Sequence, residues 1–268
     1  MRWQLRRIFI FPIKSLDGVS VDTARLTLGG ILEHDRVFAI VDEQGKYVNG
    51  KRTAQIQRLR CAYDKNLEEV ALREDGQASQ TTFSLTERGP LARWLSDFFG
   101  FAVTVTHEPV GGFPDDRTAF GPTVVGEASL RTVADWYPGL SLESVRRRFR
   151  TNLEIDGSAA FAEDSLFGGP DERRPFSIGP VQFQGHNPCQ RCVVPTRDPD
   201  TTAPIPNFQK TFMELRRQQL PPWADARRFN HYYRFAVNTS VDKSEAGKII
   251  RVGDPVCPAP PSSAAAAS

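Results

Sequence analysis

HNPCQRCVVPTRDPD, residues 186–200, places two cysteines three positions apart, Cys189 and Cys192, with a basic residue, Arg191, between them. The second cysteine runs into two valines and a proline, a pattern that predicts a strand at 192–194 followed by a turn. A nearby guanidinium favours the ionised form of a cysteine sulfur over the neutral thiol. The segment therefore predicts a soft metal ligand or a nucleophile.

Several kinds of site compete for this cysteine pair. A structural zinc site needs two more sulfur or imidazole ligands at short spacing. The other cysteines stand alone and no two histidines have that spacing; these residues are Cys61, Cys257, His34, His107, His186 and His231. A thioredoxin-type dithiol needs its first cysteine at the start of a helix, and an iron-sulfur cluster needs four spaced cysteines. These patterns disfavour a zinc or dithiol site, and they favour either a purely structural turn or one thiolate offered to a metal that brings most of its own ligands.

The composition is that of a soluble globular protein. Its 268 residues suffice for one large or two moderate domains. A formal net charge of +2 and a pI near 8.4 are too mild to predict a nucleic-acid partner or an anionic membrane surface. No apolar stretch approaches the roughly 18 residues needed to span a bilayer. Four cysteines without framework spacing fit a reducing compartment, so we expect a cytoplasmic protein.

Short β-branched or alternating segments dominate the first hundred residues. Turn residues separate them, which favours a meander or a barrel. One helix interrupts these strands, because Leu91, Leu95 and Phe99 recur at helical spacing before Gly100. Helical and strand patterns alternate after a loop rich in Gly, Pro and Asp at 110–116. The chain therefore predicts a β-rich α+β fold.

A series of motifs runs in order along nearly the whole chain. They are IFIFPIKSLDGVSV at 8–21, LEHDRVFAIVDEQGKYV at 32–48, GEASL at 126–130, RFRTNLEIDG at 148–157, FAEDS at 161–165, the CQRC segment, and VGDPV at 252–256. In sequence and spacing these motifs resemble those of the MOSC superfamily. Within it they resemble the branch that includes the mitochondrial amidoxime reducing component and bacterial YcbX-type proteins.

The resemblance implies a division of the chain into three parts. Residues 1–110 would form an N-terminal MOSC-type β-barrel module, and residues 118–257 a MOSC β-barrel domain with flanking helices. Residues 258–268, PAPPSSAAAAS, have low complexity and are expected to be disordered.

The resemblance also implies a molybdenum cofactor, that is, a molybdopterin dithiolene with a phosphate, holding one Mo ion that a protein sulfur completes. The second cysteine of the motif matches the metal ligand, so Cys192 is implied as ligand and catalytic residue, with Cys189 as a supporting thiol. Six further positions match residues that hold the phosphate and the pterin: Lys14, Ser15, Arg36, Arg150, Asn152 and Tyr232. Arginine suits this part because its planar fork binds phosphate oxygens in pairs.

The implied function is a molybdenum-dependent oxidoreductase that reduces N-hydroxylated small molecules, such as amidoximes, by removing oxygen at the metal. Electrons would come from a separate donor, either ferredoxin-like, cytochrome b5-like or a flavin reductase, because the chain has no iron-sulfur, dinucleotide or haem motif. Two other functions stay open. One is a cofactor carrier or sulfur-transfer protein without turnover, and the other is a thiol-disulfide or zinc-binding interaction protein.

Three features depart from the family pattern: Gln190 between the cysteines, Leu166 after the acidic pair, and the segment FGGPDERRPF at 167–176. If the resemblance holds, these positions lie near the substrate entrance and bear on the substrate range. The acidic pair itself, Glu163 and Asp164, is expected to face opposite ways on an extended segment, which argues against paired acid-base catalysis.

Overall fold

The computed structural model describes residues 3–259, except residues 117 and 158. In that part of the chain the helices are α1 (Arg88–Phe99), α2 (Glu127–Asp135), α3 (Leu142–Phe149) and α4 (Phe208–Gln218). The strands are β1 (Trp3–Ile10), β2 (Val19–Val21), β3 (Thr23–Arg25), β4 (Phe38–Asp42), β5 (Leu59–Tyr63), β6 (Glu69–Glu74), β7 (Thr81–Ser84), β8 (Val103–His107), β9 (Val124–Gly126), β10 (Leu153–Ile155), β11 (Arg174–Ile178), β12 (Val181–Gln190), β13 (Arg234–Val241), β14 (Ile249–Arg251) and β15 (Pro255–Pro258). The predicted β-rich α+β class is confirmed. No described helix is both long and apolar enough to cross a bilayer.

Seven strands close into a barrel in the order β10-β9-β13-β12-β11-β15-β1, because β1 also pairs with β10. The start of β1 pairs with β15, its middle with β10 and its end with β2. A register shift between Leu5 and Arg7 changes the spacing of the side chains that face the core. Leu5, Ile8 and Ile10 are therefore the buried residues of this strand, rather than a strict alternation.

The remaining N-terminal strands form smaller sheets. β4 pairs with β8, and β5, β6 and β7 form a three-stranded sheet. Helix α1 packs on these strands through Leu91, Leu95 and Phe99, as their spacing predicts. Gly100, at φ 75°, then ends the helix in the left-handed conformation that glycine adopts without a steric penalty.

The two halves of the chain are interleaved. Strand β1 belongs to the barrel built mainly from the second half, and β3 pairs with β14. The division into 1–110 and 118–257 stays a proposal, and the pairing means that the second part takes a strand from the first. Pro258 still lies in β15, while residues 260–268 of the expected disordered tail lie outside the described residues.

The cysteine segment differs from its predicted local structure. The expected strand at 192–194 is wrong, since β12 instead continues to Gln190 and residues 194–196 form a single 3-10 turn. Two bulges let β12 remain paired with β13 to its end, and Pro195 has no N–H to continue a ladder. Cys189 is thus the next-to-last residue of barrel strand β12, and Cys192 lies two residues beyond the end of the strand.

Candidate cofactor and active site

A cavity of about 870 Å³ lies between the N-terminal half and the barrel strands. Its lining brings together residues from four separate stretches of sequence, namely Lys14, Ser15, Arg36, Arg150, Asn152, Cys189 and Cys192. The lining is strongly basic, with eleven lysines and arginines against four aspartates, in a chain of formal charge +2. Positive charge concentrated in a concave surface attracts anions and raises their local concentration. The cavity is therefore suited to an anionic ligand.

Three of the residues named from sequence have unusual backbone geometry. Ser15, Arg36 and Arg150 have φ angles of 73°, 53° and 51°, in the left-handed region that non-glycine residues seldom adopt. Such a conformation costs on the order of 1 kcal/mol and persists where the surrounding structure enforces it, which is common at functional sites. For Arg150 the enforcement is visible, because it ends α3 and donates its backbone N–H to the Arg146 carbonyl. The three side chains are thus aimed by the backbone.

Arg36 is held by a network on one side of the cavity. Its Nη1 donates to the Asp35 carboxylate and, at 3.2 Å, to Asn152 Oδ1, and its Nη2 donates to the Arg150 carbonyl at 3.3 Å. Burial would lower the pKa of Arg36, but the carboxylates of Asp35 and Asp115 offset burial and raise it. The guanidinium is therefore a fixed, permanent positive charge.

Asn152 supports this network rather than presenting free groups. Its Oδ1 also accepts from the backbone N–H and hydroxyl of Thr123, each at 3.2 Å, and its Nδ2 donates to the Phe9 carbonyl at 3.0 Å. With every polar atom engaged, its buried side chain lines the cavity but acts mainly by fixing Arg36.

Arg150 is the least compensated charge in this part of the cavity. Its guanidinium stacks over the Phe11 ring, 4.1 Å from the ring centroid, and has no side-chain hydrogen bond or ion pair with any described residue. Burial, together with repulsion from Arg36, lowers the pKa of Arg150 to about 10. It stays protonated at neutral pH and keeps its donors available for a ligand.

Lys14 and Ser15 lie beside these arginines. Lys14 Nζ donates to Asp115 Oδ1 at 2.6 Å and to the Phe113 carbonyl at 2.8 Å, and burial lowers its pKa. Although burial would raise the pKa of Asp115, Lys14 and Arg36 hold it well below its usual range. The Ser15 hydroxyl makes no hydrogen bond to a described residue. Lys14 is thus pre-paired, while Ser15 is free to bind.

The two cysteines differ in their surroundings. Arg191 Nη1 donates to the sulfur of Cys189 at 3.2 Å, while Arg191 Nη2 donates to the Phe149 carbonyl. Within the described residues, the sulfur of Cys192 makes no hydrogen bond. The contact between a guanidinium and a sulfur that the sequence suggests therefore belongs to Cys189, and Cys192 is the uncommitted sulfur that the cavity offers.

Family models match both halves of the chain. The MOSC domain model matches residues 123–257, and the MOSC N-terminal beta barrel domain model matches residues 3–93. The chain belongs to the MOSC family. The fold that its motifs imply is thereby confirmed.

Named relatives of this MOSC protein fall into two groups. Mitochondrial amidoxime reducing component 2 of Bos taurus is 24% identical, over 93% of this chain and 81% of that protein. Mitochondrial amidoxime-reducing component 1 of Homo sapiens is 25% identical, over 73% of this chain and 66% of that protein. Molybdenum cofactor sulfurase of Drosophila melanogaster is 26% identical, over 80% of this chain but only 31% of that protein. The chain thus spans most of the bovine protein and under a third of the sulfurase.

One residue predicted for the cofactor site of the MOSC protein lies elsewhere. Tyr232 does not line the cavity; its ring stacks on Phe229 at a centroid distance of 5.7 Å and packs against the barrel core. An aromatic ring gains more from this apolar packing than from a solvated wall. Sequence motifs cannot separate the two outcomes, because both place the tyrosine in the same segment.

The acidic pair lies in the core, away from the cavity. Glu163 and Asp164 are both buried on a 3-10 turn, so the expectation that they face opposite ways on an extended segment is wrong. Asp164 forms an ion pair with the buried Arg216, and Ser129 Oγ donates to Glu163 Oε2 at 2.7 Å. Their role is structural.

Sequence reasoning missed several basic residues of the cavity wall, among them Arg228 and Arg234. Arg228 and Arg234 both line it, yet neither lies in a motif that the resemblance singles out. The only signal in the sequence was basic residues just before and at the start of strand β13, and such residues are common on protein surfaces.

Proposed function

We propose that this MOSC protein binds a molybdenum cofactor in the cavity and reduces N-hydroxylated small molecules. The observation that carries the proposal is the convergence of three cationic side chains, Lys14, Arg36 and Arg150, with the free sulfur of Cys192 in one cavity. The similarity to proteins named as amidoxime reducing components supports the reaction class.

The residues present fit the proposed cofactor. A phosphate needs fixed cationic donors, which Arg36 and the uncompensated Arg150 supply, and the free Ser15 hydroxyl adds another donor. A metal already bound by dithiolene sulfur accepts a thiolate, which Cys192 supplies. The cavity volume of about 870 Å³ falls within the roughly 300–1,000 Å³ usual for small-molecule sites.

When bound, the cofactor would supply a two-electron reduction, in which an N-hydroxylated compound, two protons and two electrons give the N–H compound and water. The chain's own residues would orient the cofactor and shape the pocket around it. Arg150 and Arg36 would hold the phosphate, Asn152 keeps Arg36 in place, and Cys192 would complete the metal's ligands.

Electrons would come from a separate protein, ferredoxin-like, cytochrome b5-like or a flavin reductase. All four cysteines are free, which fits the reducing, cytoplasmic setting that we propose.

Metal analysis and an activity assay together test the roles assigned to the two cysteines. Protein made in a molybdenum-competent host should hold molybdenum in the wild type and in Cys189→Ala, its matched control. Cys192→Ala should lose most of the turnover, because the metal would lack its protein sulfur. Full turnover in Cys192→Ala would contradict the ligand assignment. Zinc without molybdenum in both wild type and Cys189→Ala would favour an interaction protein instead.

The similarity to molybdenum cofactor sulfurase favours a second candidate, a carrier or sulfur-transfer protein that binds the cofactor without turnover. Reduction of benzamidoxime with an artificial electron donor separates the two. Turnover by molybdenum-loaded protein, absent in Cys192→Ala, supports the reductase. Loaded protein that reduces neither benzamidoxime nor other N-oxygenated compounds would leave the carrier as the better assignment.

A further inference from the structure

Two arginines on the cavity wall, Arg228 and Arg234, have no acidic partner in the described part of the chain. Arg228 and Arg234 line the cavity, and neither forms an ion pair with a carboxylate among the described residues. By contrast, their neighbour Arg227 forms a two-pronged pair with Asp225, through Nε at 3.0 Å and Nη2 at 2.6 Å. A guanidinium on a cavity wall that no carboxylate neutralises can bind an anionic ligand through its remaining N–H donors.

Arg228 is fixed by backbone carbonyls that leave part of its fork free. Its Nε donates to the Gly168 carbonyl at 3.0 Å, and its Nη2 donates to the carbonyls of His186 at 2.9 Å and Glu172 at 3.2 Å. Within the described residues its Nη1 has no hydrogen-bond partner. These bonds tie the segment at 167–176, which departs from the family pattern, to strand β12, and Pro170 of that segment joins the cavity lining.

Arg234 is fixed beside the cysteine segment. It lies opposite Gln190 in the pairing of β13 with β12, and its Nη1 donates to the Pro188 carbonyl at 3.0 Å. Its Nη2 donates to Asn230 Oδ1 at 2.7 Å, which leaves a second hydrogen on each terminal nitrogen. Burial lowers the pKa of Arg234, and the neighbouring Cys189 opposes this shift.

These two arginines are separate from the group proposed to hold the phosphate. Lys14 pairs with Asp115, while Arg36 donates to Asn152 and to the Arg150 carbonyl. Among the described residues, none of these groups forms a hydrogen bond with Arg228 or Arg234. The cysteine segment adjoins the second group, because Arg234 lies opposite Gln190 in the pairing of β13 with β12. One phosphate at the first group leaves the second group without an anion.

We propose that Arg228 and Arg234 form a second anion subsite, which binds a carboxylate carried by the substrate. The identity of the ligand as substrate rests on the proposed reductase function, whereas the subsite itself does not. A planar guanidinium fork matches a carboxylate in geometry and charge. The substrates favoured by this protein are therefore N-hydroxylated compounds that also carry a carboxylate.

Benzoate binding to the metal-free protein tests the subsite by calorimetry. Arg234→Gln should weaken the binding about tenfold to a hundredfold, the value of one charge-assisted bond. Arg227→Gln is the matched control: it removes the same charge nearby, but that guanidinium is already bound by Asp225, so the affinity should change less than twofold. Arg150→Gln, at the first group, should leave this benzoate site in place.

The outcomes are distinct. If Arg234→Gln binds benzoate like the wild type, or if Arg150→Gln alone abolishes binding, the second subsite does not exist. Arg234→Lys, which keeps the charge but not the fork, replaces the glutamine variant if the latter does not fold, and it should still weaken binding several-fold. If Arg234→Lys folds normally and binds benzoate with unchanged affinity, the planar guanidinium of Arg234 is not needed for binding.

Kinetics of the molybdenum-loaded protein test the substrate class. In the wild type, the KM for 4-carboxybenzamidoxime should be lower than the KM for neutral benzamidoxime. Arg234→Gln should raise the KM for 4-carboxybenzamidoxime by about tenfold to a hundredfold, with little change in kcat, and should leave the KM for benzamidoxime unchanged. Equal KM values for both compounds in the wild type would reject the carboxylate preference. A protein that binds benzoate at Arg234 but reduces neither compound would retain the subsite and refute the proposed reductase function.

Discussion

Backbone geometry, packing and charge together make Arg150 available to a ligand. Its left-handed backbone turns the side chain out of helix α3, Phe11 supports the guanidinium, and no described acid neutralises it. The sequence alone indicates a basic residue in a motif. The structure adds that this arginine is the available donor, while Arg36 and Lys14 are already paired with Asp35 and Asp115.

Arg150→Gln should lower the affinity of the metal-free protein for inorganic phosphate about tenfold to a hundredfold, because a charge-assisted hydrogen bond is lost. Isothermal titration measures the change. Arg251→Gln, at an exposed position in β14, is the control and should leave the affinity unaltered. Equal phosphate affinity in wild type and Arg150→Gln would show that Arg150 does not bind the anion.

Glu163 gives the fold a pH dependence. Burial, followed by repulsion from Asp164, raises the pKa of Glu163 to about 7 from an ordinary value of 4.5. The folded protein therefore binds this proton more tightly than the unfolded chain. The contribution of Glu163 to stability is fully present below pH 4.5, falls as the pH rises to 7, and stays low above pH 7.

Glu163→Gln should remove this dependence, because the amide stays neutral while it can still accept the Ser129 hydrogen bond. Relative to the wild type, the variant should gain free energy of unfolding at pH 8, with the gain vanishing near pH 4. Urea unfolding at several pH values measures the difference. A difference that is constant with pH would mean that Glu163 does not titrate in this range.

At the scale of elements, strand β12 links the core to the site. It runs through the barrel, passes two bulges and delivers Cys189 and the turn that follows to the cavity. Its course depends on a close approach at Gly185, where an added Cβ would lie 1.8 Å from the Leu166 carbonyl oxygen. Only a residue without a side chain allows the acidic turn to pack on this strand.

Gly185→Ala should therefore destabilise the protein by about 3 kcal/mol or more, since backbone on both sides must move. Gly111→Ala is the matched control, because nothing lies within 4 Å of its added Cβ, and it should change stability by less than about 0.5 kcal/mol. Midpoints of urea unfolding report both values. Equal midpoints for the two variants would contradict the close packing at Gly185.

At the scale of the whole molecule, the barrel depends on the N-terminal strand. Strand β1 fills the gap between β10 and β15, so a chain without it would leave two unpaired strand edges. The cavity has the same dependence, because its cationic residues come from both halves. A MOSC domain cut at residue 118 therefore lacks part of its barrel and half of its site.

A fragment of residues 118–257 should fail to unfold cooperatively and should aggregate, as exposed strand edges do. Appending residues 1–22 after residue 257 through a short turn should restore a cooperative transition, because β15 and β1 are antiparallel neighbours. Circular dichroism during thermal unfolding distinguishes the two chains. Cooperative unfolding of the bare fragment would show that the barrel closes without β1.

Sequence patterns predicted those features whose physical cause is local. The spacing of Leu91, Leu95 and Phe99 predicts helix α1 because its apolar face needs neighbours only three and four residues away. Six of the seven residues that the motifs predict for the cofactor and the metal line the cavity, and their roles there stay predictions. Tyr232 is the exception, because its ring packs against the barrel core and stacks on Phe229.

By itself, the sequence determined the β-rich class and a soft thiol near basic residues, because periodicity, turn chemistry and residue type are properties of adjacent positions. The MOSC family followed from the resemblance of a series of motifs along the chain. Tertiary structure alone decided that β1 closes the barrel and that Arg191 contacts Cys189 rather than Cys192. It also decided that Arg228 and Arg234 line the cavity with no acidic partner among the residues that the structure describes. These outcomes depend on groups far apart in the chain, whose meeting is set by the packing of the whole molecule and not by any short stretch.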